Sequence, residues 1–531
     1  MTTTTRLPAW VEARPFLWML AAGALSAMGF APLGLWPVTI LSLVLLFALL
    51  DVARTGRKAF VLGYAYGLGQ FVTGLNWIAH AFTFQEAMPH WFGYLGVVLL
   101  SFYLAVYPAA ATLVAWRLAR ASSLNGGGAM ALTLVLAGGW TLTEYLRATL
   151  FTGFAWNPLG VIWVGTIVDP VARLIGTYGL GAAAILAAGA LWMVLRGQRN
   201  LGLMFGLALV VITAMGWLHG HWAKPAATMQ GIAIRLVQPN IPQDEKYDPL
   251  AEVRNFKKLA KLSGGPSVTP RLLLWPEAAI YALLDMEPDW RDRLAVLLGP
   301  GDLLLTGGDK YYFRKTKSAF YGQRDLMGAN NSLWVLTPEA GIAGRYDKSH
   351  LVPYGEYLPM RPFLSSIGLS RLVPGDVDFW PGSGPRTLIL PAGQSGGQKR
   401  PLLKMGVQIC YEIIFSGQVV ERANRPDFLF NPSNDAWFGS WGPPQHLAQA
   451  RLRAVEEAMP IIRSTPTGIS AVIDASGKVT GAIAPGSAAA MDSILPPPAS
   501  PTPFARFGNI LPMLLAIFLI VSGVALVRIR R

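Results

Sequence analysis

The chain has 531 residues, of which 53% are hydrophobic and only 14% are charged, and its mean hydropathy is +0.40. Soluble domains contain about 25% charged residues, so this composition excludes an ordinary soluble protein of this length. The net charge of +14 could indicate nucleic-acid binding, but most of the excess flanks apolar segments. The distribution of the charge therefore predicts how the chain is oriented in a membrane, and no nucleic-acid partner is expected.

Eight apolar runs approach the length of about 20 residues that a helix needs to cross a bilayer. We expect membrane spans near 16–32, 35–50, 59–79, 91–116, 129–147, 170–195, 201–218 and 509–527. The first two spans are predicted to form a tight hairpin around residues 31–34. A cleavable signal peptide is not expected at the start, because further spans follow at once.

The basic residues at the span ends predict how the chain is oriented. With the N-terminus in the cytoplasm, the outward segments keep only Arg147, Arg173 and Arg506, and the other flanking basic residues lie inside. The positive-inside rule then predicts eight spans, two cytoplasmic termini and an outward domain. We expect three parts: a transmembrane domain of seven helices at 1–221, an outer domain at 222–505 and a C-terminal transmembrane helix at 506–531.

The outer domain alternates short apolar strands with amphipathic helices. Strands are predicted at 232–237, 271–275, 302–306, 332–336, 404–409, 428–430 and 469–473, and helices at 249–262, 288–298, 416–424 and 444–458. This alternation is typical of a layered α/β domain whose functional sites lie beyond the strand ends. The predicted hairpin at 332–346, with its turn at 339–341, argues against a purely parallel sheet.

Three predicted strands end in residues that could carry out chemistry: Glu277, Lys348 and Cys410, the single cysteine. Taken alone, each has an ordinary explanation, namely a loop carboxylate, a solvated lysine and a small buried side chain. Together they form a coherent set for acyl transfer. A carboxylate can act as the base for a thiol nucleophile, and a lysine can stabilise the oxyanion that forms when the thiol attacks a carbonyl.

The order of these residues and their surrounding motifs resemble the carbon–nitrogen hydrolase, or nitrilase, superfamily, whose catalytic residues are Glu, Lys and Cys in that order. The chain is most similar to its membrane-embedded branch, the bacterial apolipoprotein N-acyltransferases. The motifs are LLLWPEAAI (272–280), YDKSHLVPYGEYLP (346–359), ICYEIIF (409–415), NDAWFG (434–439), GPPQHLAQARLRAVEEAMPIIRSTPTGISAVID (442–474) and TPFARFGN (502–509). The resemblance extends over the whole chain.

The resemblance implies an α-β-β-α sandwich beside the eight-span membrane domain. It also implies Glu277 as general base, Lys348 as oxyanion stabiliser and Cys410 as nucleophile. Glu356 is expected to be an essential second carboxylate, and Tyr411 is expected to shape the pocket.

Three more residues are implied to act as accessory groups. Glu412 is expected to shape the pocket, although it could be only a structural hydrogen-bond acceptor, and Trp437 to line the substrate cleft, although it could be part of the core. Tyr247 stands near the expected lipid entrance, where the family would have a tryptophan. Pro432 and Pro466 also depart from the family pattern, and their effect on substrate gating is open.

The resemblance implies a two-step reaction. Cys410 accepts a fatty acyl group from a membrane phospholipid as a thioester, and the acyl group then passes to the N-terminal amine of diacylglyceryl-cysteine in an apolipoprotein. No cofactor is expected because the ester is already activated. The implied location is the bacterial inner membrane, with the outer domain in the periplasm. A monomer is expected; head-group preference, acyl-chain preference and client lipoproteins are open.

Two other functions compete with N-acyl transfer. A membrane-tethered amidase or nitrile hydrolase could use the same three residues, with water as the second nucleophile. A transporter or sensor would need charged or polar groups at mid-span depth. The spans hold few: Glu144 lies near one end of its span, and Gln70 is uncharged. No metal is expected, since His350 and His446 have no partners at metal-ligand spacing.

Overall fold

The computed structural model describes residues 8–84, 89–119, 127–222, 231–246, 250–314, 326–366, 377–395 and 397–529. The N-terminal part is entirely helical. Its α-helices are α1 (Ala9–Ala13), α2 (Pro15–Ser26), α3 (Trp36–Val52), α4 (Gly56–Gly74), α5 (Ile78–Ala81), α6 (Phe92–Leu104), α7 (Val106–Ala119), α8 (Gly127–Thr149), α9 (Ala172–Leu195) and α10 (Arg199–Trp222).

Every predicted span contains a helix, but the helices differ in length and hydropathy. Within the described residues, five segments are long and apolar enough to cross a membrane: Phe92–Ala119, Gly128–Thr149, Asp169–Leu195, Arg199–Trp222 and Ile510–Arg528. The α2 and α3 helices have 12 and 17 residues, fewer than the roughly 20 that a perpendicular span needs. The structure therefore supports a multi-pass membrane domain with five clear candidate spans.

Glycine allows close contact between the backbones of α2 and α4. A Cβ atom on Gly23 would lie 1.9 Å from the carbonyl oxygen of Tyr66, and one on Gly69 would lie 2.0 Å from that of Leu20. No side chain fits in either place. Small residues are enriched at helix contacts in membranes because they let the backbones approach each other.

The outer domain contains two six-stranded sheets. Its strands are β1 (Ala233–Gln238), β2 (Arg271–Leu274), β3 (Leu303–Phe313), β4 (Leu326–Leu336), β5 (Ile342–Asp347), β6 (Thr387–Leu390), β7 (Gly393–Ser395), β8 (Gln398–Arg400), β9 (Leu403–Val407), β10 (Phe428–Pro432), β11 (Ile461–Ser464), β12 (Ser470–Ile473), β13 (Val479–Ile483) and β14 (Ala489–Ile494). The strand orders are β14-β1-β2-β3-β4-β5 and β13-β12-β11-β10-β9-β6, and β7 and β8 form a separate hairpin. In each large sheet three central strands are parallel, while their outer neighbours are antiparallel.

Side-chain alternation along the strands builds the layers, because successive residues of a strand point to opposite faces. In β2, Leu272 and Leu274 join the core between the two sheets, whereas Leu273 packs on the other face. The helices of the outer domain and the C-terminus are α11 (Gln243–Lys246), α12 (Glu252–Ser263), α13 (Pro288–Ala295), α14 (Arg361–Ser366), α15 (Gly442–Glu457), α16 (Pro503–Phe507) and α17 (Ile510–Ile529). The α12 and α13 helices cover the outer face of the first sheet through Leu259 and Leu294.

The α15 helix joins the outer domain to the membrane helices. Ala450 and Ala454 belong to the core between the sheets, and Leu452 and Val455 belong to the membrane-helix core. On the same helix, Glu456 accepts hydrogen bonds from the backbone N–H and the hydroxyl of Thr177 in α9, both at 2.6 Å. One helix is therefore buried on both sides.

The predicted secondary structure of the outer domain is largely confirmed. All seven predicted strands overlap observed strands, and three of the four predicted helices overlap α12, α13 and α15. The helix predicted at 416–424 is wrong, since only a 3-10 turn at Arg422–Asn424 forms there. Gly417 has a φ of 74° and passes so close to Asn509 that a Cβ would lie 2.8 Å from its side-chain amide. A tertiary contact thus replaces a weak local helical preference.

Candidate active site

Glu277 lies just beyond the end of β2, at the edge of the sheet where parallel strands end. Its Oε1 accepts a hydrogen bond from the side-chain amide of Asn331 at 2.7 Å. Its Oε2 is buried and has no hydrogen-bond partner among the described residues. One carboxylate oxygen is therefore held in place while the other remains available to accept a proton.

Lys348 follows β5 and is only 1% exposed. Its Nζ lies 3.0 Å from Oε1 and 2.9 Å from Oε2 of Glu356, and 3.8 Å from Oε1 of Glu277. Burial alone would lower the pKa of Lys348, but the two carboxylates outweigh burial and raise the pKa above its usual value. The lysine is therefore a fixed ammonium group.

Glu356 and Asn331 hold the side chains of Glu277 and Lys348 in place. Oε2 of Glu356 accepts the backbone N–H of Val352 at 2.7 Å. The side-chain amide of Asn331 donates to Glu277 at 2.7 Å and to Glu356 at 3.0 Å. Sequence reasoning missed Asn331, although a polar residue in the middle of the buried strand β4 is a signal that could have marked it.

Cys410 begins a 3-10 turn, Cys410–Ile414, shortly after β9 ends. Its φ of 51° lies in the left-handed region, which a side-chain-bearing residue adopts only when its surroundings hold it there. The side chain is 4% exposed. Burial and then Glu277 raise the pKa of the Cys410 thiol, and Lys348 only partly opposes them. The resting sulfur is therefore a neutral thiol that needs a base to become a nucleophile.

Glu412 connects the 3-10 turn that begins at Cys410 with the loop after β5 that carries Lys348. Its Oε1 accepts the Tyr346 hydroxyl at 2.9 Å and both the backbone N–H and the hydroxyl of Ser349 at 2.7 Å. Its Oε2 accepts the backbone N–H of Ile409 at 2.7 Å. Both carboxylate oxygens are thus engaged in positioning two loops. Glu412 does not line the cavity at Cys410, which favours the structural alternative for this residue.

A cavity of about 1320 Å³ connects the polar site with the membrane helices. Glu277, Lys348 and Cys410 all line it, and so do apolar residues of α6 such as Leu95 and Leu99. These two leucines are 43% and 56% exposed, so the apolar wall continues to the surface of the helices. Three groups predicted from separate motifs therefore meet in one site that has access from the helical region.

Three of the predicted accessory residues line this cavity: Glu356, Tyr411 and Trp437. Tyr411 donates its hydroxyl hydrogen to the carbonyl of Gly153 at 3.3 Å, which links the cysteine turn to the loop after α8. Trp437 is half-buried and packs edge to face on Phe84, with ring centroids 5.4 Å apart. Tyr247 lies outside the described residues.

Two further charged residues of the cavity were missed by sequence reasoning. Lys246 donates to the backbone carbonyl of Glu277 at 3.0 Å, and Asp309 on β3 lies in the same wall. Burial raises the pKa of Asp309 to about 7, against the lowering effect of Lys246. Neither residue interrupts a predicted strand, since Lys246 ends α11 and Asp309 lies beyond the strand predicted at 302–306.

Pro432 and Pro466 are the remaining departures from the family pattern. Pro432 ends β10, and the carbonyl of Pro466 accepts the backbone N–H of Asn240 at 2.8 Å. Neither proline lines the cavity at Cys410. Among the residues described, no group of three or more His, Cys, Asp and Glu side chains is arranged to hold a metal ion.

Comparisons with known proteins cover both parts of the chain. A family model described as apolipoprotein N-acyltransferase N-terminal domain matches residues 22–190, and one described as carbon-nitrogen hydrolase matches residues 234–489. The apolipoprotein N-acyltransferase of Rhodopseudomonas palustris is 33% identical over 510 residues, 92% of this chain and 91% of that protein. The protein of the same name from Caulobacter vibrioides is 34% identical over an alignment of 552 residues, 98% of this chain and 97% of that protein.

Proposed function

We infer the reaction of this site from one premise: the chain belongs to the apolipoprotein N-acyltransferase family. The enzyme transfers a fatty acyl group from a membrane phospholipid, through a thioester, to the N-terminal amine of diacylglyceryl-cysteine in an apolipoprotein. The observation that carries the proposal is the cavity, because it joins Cys410 to an apolar wall of α6. Both substrates are lipids, and such a wall suits acyl chains.

In the first half-reaction we assign the base to Glu277 and the nucleophile to Cys410. The thiol proton passes to the carboxylate as sulfur forms a bond with the ester carbonyl carbon. Lys348 and a backbone N–H, that of Tyr411, stabilise the oxyanion of the tetrahedral intermediate. The carbon–oxygen bond to the glycerol then breaks, Glu277 returns the proton to the leaving oxygen, and lysophospholipid departs. The raised pKa of Cys410 supports this base-assisted order.

In the second half-reaction the lipoprotein amine attacks the thioester carbonyl. Glu277 accepts a proton from the amine nitrogen, and Lys348 again faces the oxyanion. When the carbon–sulfur bond breaks, the thiolate recovers that proton and the amide product leaves. Glu356 anchors Lys348 throughout, since both of its oxygens contact the lysine ammonium.

A hydrolase that uses water as the second nucleophile is the alternative. The cavity wall argues against it, because a tethered amidase does not need an extended apolar surface beside its nucleophile. The similarity to the relatives covers the membrane domain and the outer domain. A membrane domain that served only as a tether would not need to be shared in this way.

We further propose eight spans with both termini in the cytoplasm, and the division at 1–221, 222–505 and 506–531. The outer domain would then lie in the periplasm of a bacterium, at the outer face of the inner membrane. The charge distribution at the span ends supports this orientation. One chain supplies all the proposed catalytic groups, which supports a monomeric enzyme.

Reporter fusions test the orientation. We expect reporters after residues 56, 122, 198 and 531 to be cytoplasmic, and one inserted near residue 396 to be periplasmic. A reporter on the other side of the membrane at any one of these positions contradicts the eight-span arrangement.

Intact-protein mass spectrometry tests the reaction. Purified enzyme mixed with phospholipid alone should gain one fatty acyl group, which hydroxylamine should remove because a thioester is labile and an amide is not. Adding the lipoprotein acceptor should remove the acyl group and give an equal amount of N-acylated product. Cys410→Ala is the control that should gain no mass. Free fatty acid as the main product in the presence of acceptor would favour the hydrolase.

A further inference from the structure

A buried polar cluster lies beneath Cys410, on the side away from the cavity. It consists of His446 on α15, Asp435, Asn431 on β10 and Arg463 on β11. The four side chains are buried, and none of them lines the cavity. Burying two charges and an imidazole is costly unless each group is held by partners, and the partners of this cluster include the backbone at Cys410.

Two side chains of the cluster approach the carbonyl oxygen of Cys410, and the amide of one of them, Asn431, also donates to the carbonyl of Gln408 at 2.5 Å. The Nε2 of His446 lies 3.0 Å from this oxygen, and the side-chain amide of Asn431 lies 3.5 Å from it. A carbonyl oxygen can only accept, so Nε2 of His446 carries a hydrogen and donates it.

Asp435 and Arg463 both contact the other nitrogen of the imidazole ring. Nδ1 of His446 lies 3.0 Å from Oδ1 of Asp435 and 3.0 Å from Nη2 of Arg463, and Arg463 also forms an ion pair with Asp435. Nδ1 therefore has both an acceptor and a donor beside it, and the hydrogen on Nε2 follows from the contact with the Cys410 carbonyl. Burial and the neighbouring guanidinium lower the pKa of His446 to about 4, which agrees with a neutral ring.

The geometry of the peptide bond gives this contact a consequence for the reaction. In a planar trans peptide, the carbonyl of one residue and the N–H of the next point in opposite directions. The Cys410 carbonyl points towards the cluster and away from the cavity. The N–H of Tyr411 therefore points away from the cluster, towards the cavity side.

We propose that His446 is a positioning residue, which holds the Cys410–Tyr411 peptide so that the Tyr411 N–H faces the oxyanion. Asn431, Asp435 and Arg463 support it, and together they maintain the left-handed conformation of Cys410. The inference rests on the proposed function, since it concerns the oxyanion of that reaction.

A pair of substitutions separates this role from simple packing. In His446→Gln the terminal amide can occupy the place of Nε2 and still donate to the Cys410 carbonyl. In His446→Asn the shorter amide reaches only the place of Nδ1. Both variants stay polar. Gln449→Leu is the matched control, because Gln449 is a buried polar residue of the same helix whose amide donates to the carbonyl of Gln445.

Two rates are measured for each variant at the single cysteine: acylation by phospholipid and alkylation by iodoacetamide. Alkylation is a displacement without an oxyanion, so it reports only access and reactivity of the thiol. We expect His446→Asn to acylate ~10²–10³-fold more slowly, the loss that follows removal of one oxyanion donor, with alkylation changed less than roughly threefold. His446→Gln and Gln449→Leu should acylate at rates close to that of the wild type.

Acylation by His446→Asn at the wild-type rate would overturn the proposal. So would equal losses of acylation and alkylation in both His446 variants, because these would indicate general disruption of the fold. If the wild-type enzyme itself forms no thioester, the proposed function fails and the inference fails with it. The measurement on the wild-type enzyme distinguishes the two cases: if the wild type forms the thioester and His446→Asn does so equally fast, only the role of His446 is wrong.

Discussion

The membrane helices and the outer domain reach close packing by opposite means. Between α2 and α4, glycine brings backbones into contact, as at Gly23 and Gly69. Between the two sheets, large aliphatic and aromatic side chains interlock, as at Leu272 and Phe430. The difference follows from the solvent. Removing apolar side chains from water stabilises the outer domain, whereas lipid offers no such gain between helices, so contact must come from close approach.

The proposed active site lies where these two kinds of packing meet. Segments that follow the strands of the outer domain carry the proposed reactive groups, and α6 supplies an apolar wall of the same cavity. We therefore assign the reaction to the outer domain and the admission of lipid to α6. Substitutions in these two regions should have different effects on acylation and on the reactivity of the thiol.

The largest effect is expected in the outer domain, from Cys410→Ala. We expect complete loss of N-acylated product with a normally folded protein, because the change removes one sulfur from a buried site and leaves a small apolar side chain. Product is measured by mass spectrometry and folding by thermal unfolding. More than a trace of product would end the assignment of the nucleophile.

Removal of the ammonium group should have the next largest effect. Lys348→Ala is expected to slow acylation by ~10²–10³-fold, as for loss of an oxyanion donor. Lys348→Arg should recover little of the rate, since a planar guanidinium does not replace a compact ammonium group. The rate of thioester formation is the measurement, and near-normal rates in both variants would show that Lys348 has no catalytic role.

A change on the membrane side of the cavity should affect only the lipid reaction. Leu99→Trp would fill part of the apolar wall, and we expect acylation by phospholipid to slow roughly tenfold, within the range for a steric change in an apolar pocket. Alkylation of Cys410 by iodoacetamide should not change. Leu118→Trp is the control, because Leu118 is exposed on α7 and does not line the cavity. Equal slowing in both variants would refute the separation of chemistry from lipid admission.

The smallest effect on the chemistry is expected from a change in helix packing. Gly69→Ala would place a methyl group 2.0 Å from the carbonyl oxygen of Leu20, so we expect a loss of stability of about 1–3 kcal/mol, as for overpacking. The acylation rate of the folded fraction should remain normal. Gly206→Ala is the control, since nothing lies within 4 Å of the added carbon. Equal thermal stability of the two variants would contradict the close packing of α2 and α4.

Much of the site could be predicted from the sequence, because its reactive residues stand in local patterns. Glu277 and Cys410 each follow a strand that an apolar run predicts, Lys348 follows the predicted hairpin, and all three line one cavity. Asn331 and His446 could not be assigned their roles in this way. Each is an ordinary polar residue in its own element, and its partners come from distant parts of the chain: Asn331 contacts Glu356, and His446 contacts the Cys410 carbonyl.

The sequence by itself determined the apolar helices, the alternating strands and the order of acid, lysine and thiol. These features depend on the chemistry of neighbouring residues and on the periods of helix and strand. Only the tertiary structure decided that Glu356 anchors Lys348, that Glu412 joins two loops, and that α6 and the thiol line one cavity. The reason is physical: such contacts are selected by the packing of whole sheets and helices, and no local period encodes which distant side chain will lie opposite.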